Sequence, residues 1–102
     1  MKQQEQSGGA TPRLVNNEAQ SCYELHMDDQ RAAQAQYRVE GGTVRFTHTE
    51  VDPAYEGQGL GSRLAAFALD DVKRRGLKVV PLCQFIAAYI ARHQKEYADL
   101  LQ

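Results

Sequence analysis

Along this 102-residue chain the spacing of apolar residues changes once, and the change falls on a glycine loop. Up to Val51 the apolar positions alternate as they do in strands. From Leu60 they recur as Leu60, Leu64, Ala65, Phe67, Ala68, Leu69 and Val72, the spacing of an amphipathic helix. Between the two lies Asp52-Pro53-Ala54-Tyr55-Glu56-Gly57-Gln58-Gly59, with Gly61 just beyond. A strand that runs through a glycine turn into a helix N-terminus forms an anion cradle. Glycine lets the backbone approach closely, and the first helical amides carry unpaired N–H groups and positive dipole. A phosphate-bearing cofactor or substrate on Gly57–Ser62 is therefore the first functional expectation, set against a plain connector. The G-x-G-x-G spacing is not the G-x-G-x-x-G of a dinucleotide fold, and no Lys follows as a P-loop requires.

The strands before the loop are legible by alternation. Arg13–Asn17 reads as a short first strand. In Ser21–Met27, Tyr23, Leu25 and Met27 share one face and Cys22, Glu24 and His26 the other. Asp28-Asp29-Gln30 is a turn, and Ala33–Glu40 a third strand through Ala33, Ala35, Tyr37 and Val39. Gly41-Gly42 marks a hairpin into Thr43–Val51, where Val44, Phe46 and His48 are expected on one face. After the long helix, Gly76 is a stop and Leu77–Val80 a short strand. Pro81 is expected to start a helix that carries Phe85, Ile86, Tyr89 and Ile90 on one side. The segment 94–101 reads as one more short helix. Antiparallel strands followed by helix, strand, helix make an α+β (mixed α/β) layer fold.

Composition narrows the function. Polar, Gly/Ser/Gln-rich residues 1–12 are expected to be a disordered tail, leaving one domain over 13–102. A formal net charge of −1 argues against a general nucleic-acid binder or a polybasic membrane module. No apolar run has the length of a membrane span, so a cytoplasmic protein with Cys22 and Cys83 reduced is expected. The histidines have no partners at ligand spacing, and no metal is assigned.

The strand end, the V-x-P-x-Y sequence of Val51–Tyr55, the glycine loop and the long helix together resemble the acetyl-coenzyme-A motif of the GNAT superfamily of N-acetyltransferases. His48-Thr49-Glu50-Val51 before the loop and Pro81-Leu82-Cys83 after the last strand resemble a family of very small GNAT-like proteins. These consist of little more than the cofactor half of the fold. The resemblance implies a reduced GNAT-like fold with acetyl-CoA (CoA) as cofactor. It implies that the amides of Gly57, Gln58, Gly59, Leu60 and Gly61 face the pyrophosphate, with Ser62 as a side-chain donor and Val51 beside the pantetheine arm. The chain departs from the superfamily at Glu56, where Arg or Gln is usual. It also lacks the helices that, in larger members, follow the first strand and help form the acceptor site.

Two residues are candidates for chemistry. Cys83 follows a strand and precedes a helix. It is either a nucleophile that takes the acetyl group, the role the resemblance suggests, or a small buried hydrophobe. His48 is either a general base near the acetyl end of the cofactor or a core histidine. The implied activity is acetyl-CoA-dependent N-acetyl transfer to an unknown amine acceptor, small molecule or protein, by a monomer or weak homodimer. A CoA-binding module without turnover, or an interaction domain, is the alternative.

Overall fold

A computed structural model describes residues 11–102, so the expectation of a disordered tail lies almost wholly outside the described residues. Five strands form one sheet in the order of the sequence: β1 Arg13–Asn17, β2 Cys22–Met27, β3 Gln30–Glu40, β4 Thr43–Val51 and β5 Lys78–Pro81. The first four are antiparallel neighbours, and β5 joins β4 in parallel. That last pairing needs a crossover, which α1, Leu60–Arg74, supplies. Two short helices follow, α2 Gln84–Arg92 and α3 Gln94–Tyr97.

The turns follow from residue type. Gly41 and Gly42 both have positive φ, as a two-residue hairpin requires. The β2–β3 turn does the same with Asp28 and Asp29, short polar residues that tolerate this region. Helix α1 ends as Gly76 suggests: φ is +72° there, Gly76 N–H donates to the Lys73 carbonyl, and Leu77 N–H to that of Val72.

One layer of helices covers one face of the sheet. Leu64, Ala65, Ala68, Leu69 and Val72 of α1 are fully buried against Leu25, Ala35, Phe46 and Val79, and Ile86, Tyr89 and Ile90 of α2 join the same core. The opposite face carries no helix among the described residues.

Two expectations are corrected. Pro81 does not open α2. It is the last residue of β5, opposite Phe46, and Cys83 occupies the N-cap of a helix that begins at Gln84. Lys78 N–H donates to Gly42 and Leu82 N–H to Phe46, so the donors that face β4 alternate past position 81 and a proline there costs the β4–β5 ladder no bond. The second correction concerns β4. Opposite β3 the register runs Tyr37↔Phe46 and then Gln36↔His48, leaving Thr47 as an extra, bulged residue. The bulge resets the pleat. Thr49 and Val51, opposite Ala35 and Ala33, take the helix-covered face with Val44 and Phe46. His48 and Glu50, opposite Gln36 and Gln34, take the open face. His48 is therefore not a core histidine; its side chain is about half exposed.

Candidate functional site

The parallel pair β4–β5 is short. It runs from Thr43↔Lys78 to Phe46↔Pro81 and then parts, because the Leu82 and Cys83 N–H groups both donate to the one carbonyl of Phe46, at 3.0 Å each. Beyond that carbonyl β4 continues through Thr47–Val51, with β3 on one side and, among the described residues, no strand on the other. A strip of strand edge therefore lies open, bounded by β4, Cys83 and the start of α2. It leads at Val51 toward the glycine loop and the N-terminus of α1.

A 3-10 turn, Pro53–Tyr55, is capped by Asp52, whose Oδ1 accepts from Ala54 N–H at 2.9 Å. Gly57 and Gly59 then have φ of +84° and +74°, a region that disfavours side chains. Gly59 is the N-cap of α1 and, having no side chain, makes no side-chain cap bond. The Arg63 N–H donates to the Gly59 carbonyl, so the amides of Leu60, Gly61 and Ser62 precede the first intrahelical bond.

Gly61 has a different reason to be glycine. It is buried, and a Cβ there would lie 2.8 Å from Phe85 Cζ and 3.3 Å from Val51 Cγ2. The third glycine thus lets the start of α1 close on Phe85 and on the end of β4. Glu56 stands at the C-terminal end of the 3-10 turn, exposed, and Ser62 is exposed in the first turn of α1.

Cys83 lies beside the gap on the helix-covered side. It is 8 % exposed, and its Sγ is 3.0 Å from Thr49 Oγ1. Thr49, which the motif reading passed over, reaches it only because the bulge turned it inward. The Cys83 thiol therefore pairs with a hydroxyl. The two proposed catalytic side chains are not brought together: His48, on the other face, pairs with Glu50 Oε2 at 3.0 Å.

The open face carries its own polar order. Glu24, 6 % exposed, accepts from His26 Nε2 at 2.8 Å and Asn17 Nδ2 at 3.2 Å, with Arg31 at 3.5 Å. Burial pushes its carboxyl up, but the His26 and Asn17 hydrogen bonds and the nearby positive charges outweigh this and hold it below the usual range. Cys22 is buried on this face; desolvation, with Glu24 adding to it, raises its thiol above the ordinary value. A cleft of about 460 Å³ opens where β3 and β4 meet the loop, lined among others by Arg31, Gln34, Glu50 and Asp52.

With this geometry in view the comparisons with known proteins are informative. The model of the GCN5-related N-acetyl-transferases matches residues 22–100. The chain belongs to the GCN5-related N-acetyltransferase family. It is 38% identical over 60 residues to protein NATD1 of Mus musculus and, equally, of Homo sapiens. Those alignments cover 58% of the chain and 54% and 53% of the relatives, so the chain spans about half the length of the curated relatives it matches. The ribosomal-protein-S18-alanine N-acetyltransferase of Escherichia coli superimposes with a TM-score of 0.56 at 28% identity, over 59% of this chain and 39% of that one. A GCN5-like protein of Staphylococcus aureus, solved by NMR, superimposes with a TM-score of 0.64 over 88% of this chain and 87% of its own. At 22% identity that second likeness speaks for the fold alone. A nearly full-length match of this size shows that the GCN5-related fold is also found in a chain about as small as this one.

Proposed function

We propose that this protein binds acetyl-CoA along the free edge of β4, with its phosphates at the N-terminus of α1, and passes the acetyl group to a primary amine. The observation that carries this reading is the parting of β4 and β5 at the Phe46 carbonyl. It leaves the side of Thr47–Val51 turned away from β3 without a strand partner among the described residues, beside a glycine loop that leads into the first amides of α1. An extended, amide-containing chain can pair with such an edge as an added strand does. The positive-φ glycines and the uncapped helix end suit a pyrophosphate. Val51, Gly57, Gln58, Gly59, Leu60, Gly61 and Ser62 would hold the cofactor. Glu56 brings no positive charge, so main-chain donors carry the phosphate contact.

When bound, acetyl-CoA supplies an activated acetyl thioester. The chain's own task is to admit the amine and remove its proton. The helix layer fills one side of the sheet, so the amine arrives on the open face, where His48 stands on the same free stretch of β4. His48 is the general base in this reading. The amine nitrogen forms the bond to the acetyl carbon, the proton it sheds passes to His48, and sulfur leaves with the electron pair of the broken C–S bond.

Isothermal titration with acetyl-CoA tests the binding. Gly59→Val, which forces a β-branched residue into positive φ at the cradle, should weaken it at least tenfold, about 1.4 kcal/mol. Unchanged affinity in the folded variant would place the site elsewhere. Release of CoA with a panel of amines tests the transfer.

A second route makes Cys83 the first acetyl acceptor, and its place at the edge of the gap favours that route. Cys83 Sγ would attack the thioester carbon, CoA would leave as its thiolate, and the amine would later displace Cys83. Its hydroxyl partner and the distance of His48 from its face favour direct attack instead. Mass spectrometry after incubation with acetyl-CoA decides: an acetyl group on the Cys83 peptide, lost in Cys83→Ser, supports the covalent route. Turnover retained in Cys83→Ala excludes it. Tight acetyl-CoA binding with no CoA released by any amine would favour a CoA-binding module, the reading to which Glu56 and the open acceptor side point.

A further inference from the structure

A chain of hydrogen bonds crosses three strands on the open face and ends at His48. Cys22 Sγ of β2 donates to Gln34 Oε1 of β3 at 3.3 Å. Gln34 Nε2 donates to Glu50 Oε1 of β4 at 3.0 Å, and the other oxygen of Glu50 lies 3.0 Å from His48 Nε2.

The chemistry of the groups sets the direction of each link. An ionised carboxylate only accepts, so both neighbours of Glu50 must donate to it. Gln34 therefore turns its amide nitrogen to Glu50 and its oxygen to Cys22. Cys22 is buried and holds its thiol proton, which suits a donor. His48, for the same reason, must carry hydrogen on Nε2. In the neutral ring this leaves the lone pair on Nδ1.

A half-exposed Glu–His pair would ordinarily be loose. This one is tied to the neighbouring strand by Gln34, and Gln34 in turn to a residue 3 % exposed. The bulge at Thr47 is what puts His48 on this face at all. The two bonds made to Glu50 hold its carboxyl below the usual range, with His48 the larger influence and Gln34 next. From the adjoining strand the charge of Arg31, itself paired with Glu24 of β2, acts on Glu50 in the same direction. The cleft that Arg31, Gln34, Glu50 and Asp52 line gives an acceptor room beside the pair.

We propose that Glu50 is a positioning residue for the acetyl transfer: braced by Gln34, it fixes His48 as the Nε2–H tautomer, so that Nδ1 is the atom that takes the proton of the amine. This role rests on the reading given under Proposed function. It requires that the carboxylate of a Glu–His pair act as one does in a hydrolase triad, by holding the tautomer without receiving the proton itself.

The test is made on the full chain. Nitrogen-15 multiple-bond NMR at about pH 9, above the ordinary imidazole range, should show His48 as the Nε2–H form in the wild type. Glu50→Ala should populate both tautomers, and Gln34→Ala should move the balance the same way by less. With an amine acceptor, Glu50→Ala should lower kcat by roughly tenfold or more. KM for acetyl-CoA should change less than about twofold, since Glu50 bonds to Gln34 and His48 and is not among the residues proposed to hold the cofactor. Glu50→Asp should recover part of the loss. An Nδ1–H wild-type ring, a tautomer balance indifferent to Glu50→Ala, or an unaltered kcat would overturn the role. Wild-type protein that binds no acetyl-CoA would instead overturn the transfer reading beneath it. When that binding is present, the tautomer and the kcat measurements bear on Glu50 alone.

Discussion

At the scale of single residues, two buried acids show how polar groups are kept in so small a fold. Asp71, 3 % exposed, accepts from Tyr23 Oη at 2.7 Å and from Arg75 Nε at 3.0 Å, and pairs with Arg74. Tyr37 joins the group through Asn16, its hydroxyl donating to Asn16 Oδ1 at 2.6 Å. This ties the C-terminal end of α1 to β1, β2 and β3. Asp71→Ala would leave the buried Tyr23 hydroxyl without its acceptor and should cost about 2–3 kcal/mol in urea unfolding. Tyr23→Phe together with Asp71→Ala should cost less than the sum of the two single changes. Glu24 gives a pH effect of known sign. Its folded pKa is depressed from 4.5, so its stabilisation is complete above that value and is lost as pH falls through the folded value. Glu24→Gln should therefore shrink the loss of thermal stability on acidification below about pH 4.5, measured as Tm against pH.

At the scale of elements, the sequence carried most of the fold because most elements declare themselves locally. The hairpin at Gly41-Gly42, the length of α1, its stop at Gly76 and the alternation of β2 and β3 all follow from residue type and period. The bulge at Thr47 does not, because it is a property of two strands in register and β4 alone looks regular. Unbroken alternation puts His48 with Val44 and Phe46; that single insertion moves it to the open face, turns Thr49 toward Cys83 and keeps His48 and Cys83 apart. Glu50 was within reach of a sequence argument, since a carboxylate two residues from a strand histidine shares its face; the partner of Cys83 was not. Gly61 was read with the phosphate loop, although its tight constraint comes from Phe85, which lies far along the chain. Gly61→Ala should lower stability by about 1–3 kcal/mol, seen as a drop in Tm, because Phe85 and Val51 must give way. Gly61→Ala combined with Phe85→Leu should recover part of that loss if the clash with the ring is its source.

At the scale of the whole molecule, the free edge of β4 lies where four parts meet: the end of β4, the loop, the start of α1 and the N-cap of α2. A ligand lying there would bind only the assembled arrangement. Acetyl-CoA at about one hundred times its Kd should add about 2.7 kcal/mol to stability, read as a rise in Tm that desulfo or free-adenine analogues reproduce only in part.

That same edge exposes the protein to its own copies. A strand with a row of unsatisfied N–H and C=O groups is a template for any extended chain, another β4 included. Here the hazard is held down by what borders it: Pro81 and Pro53 stand near its two ends, Thr47 breaks its flatness, and His48 and Glu50 set a hydrogen-bonded polar pair on the same strand. Replacing both His48 and Glu50 with valine would remove that guard while raising β-propensity. The expected outcome is concentration-dependent self-association in size-exclusion chromatography, with acetyl-CoA returning the protein to single copies by occupying the edge first.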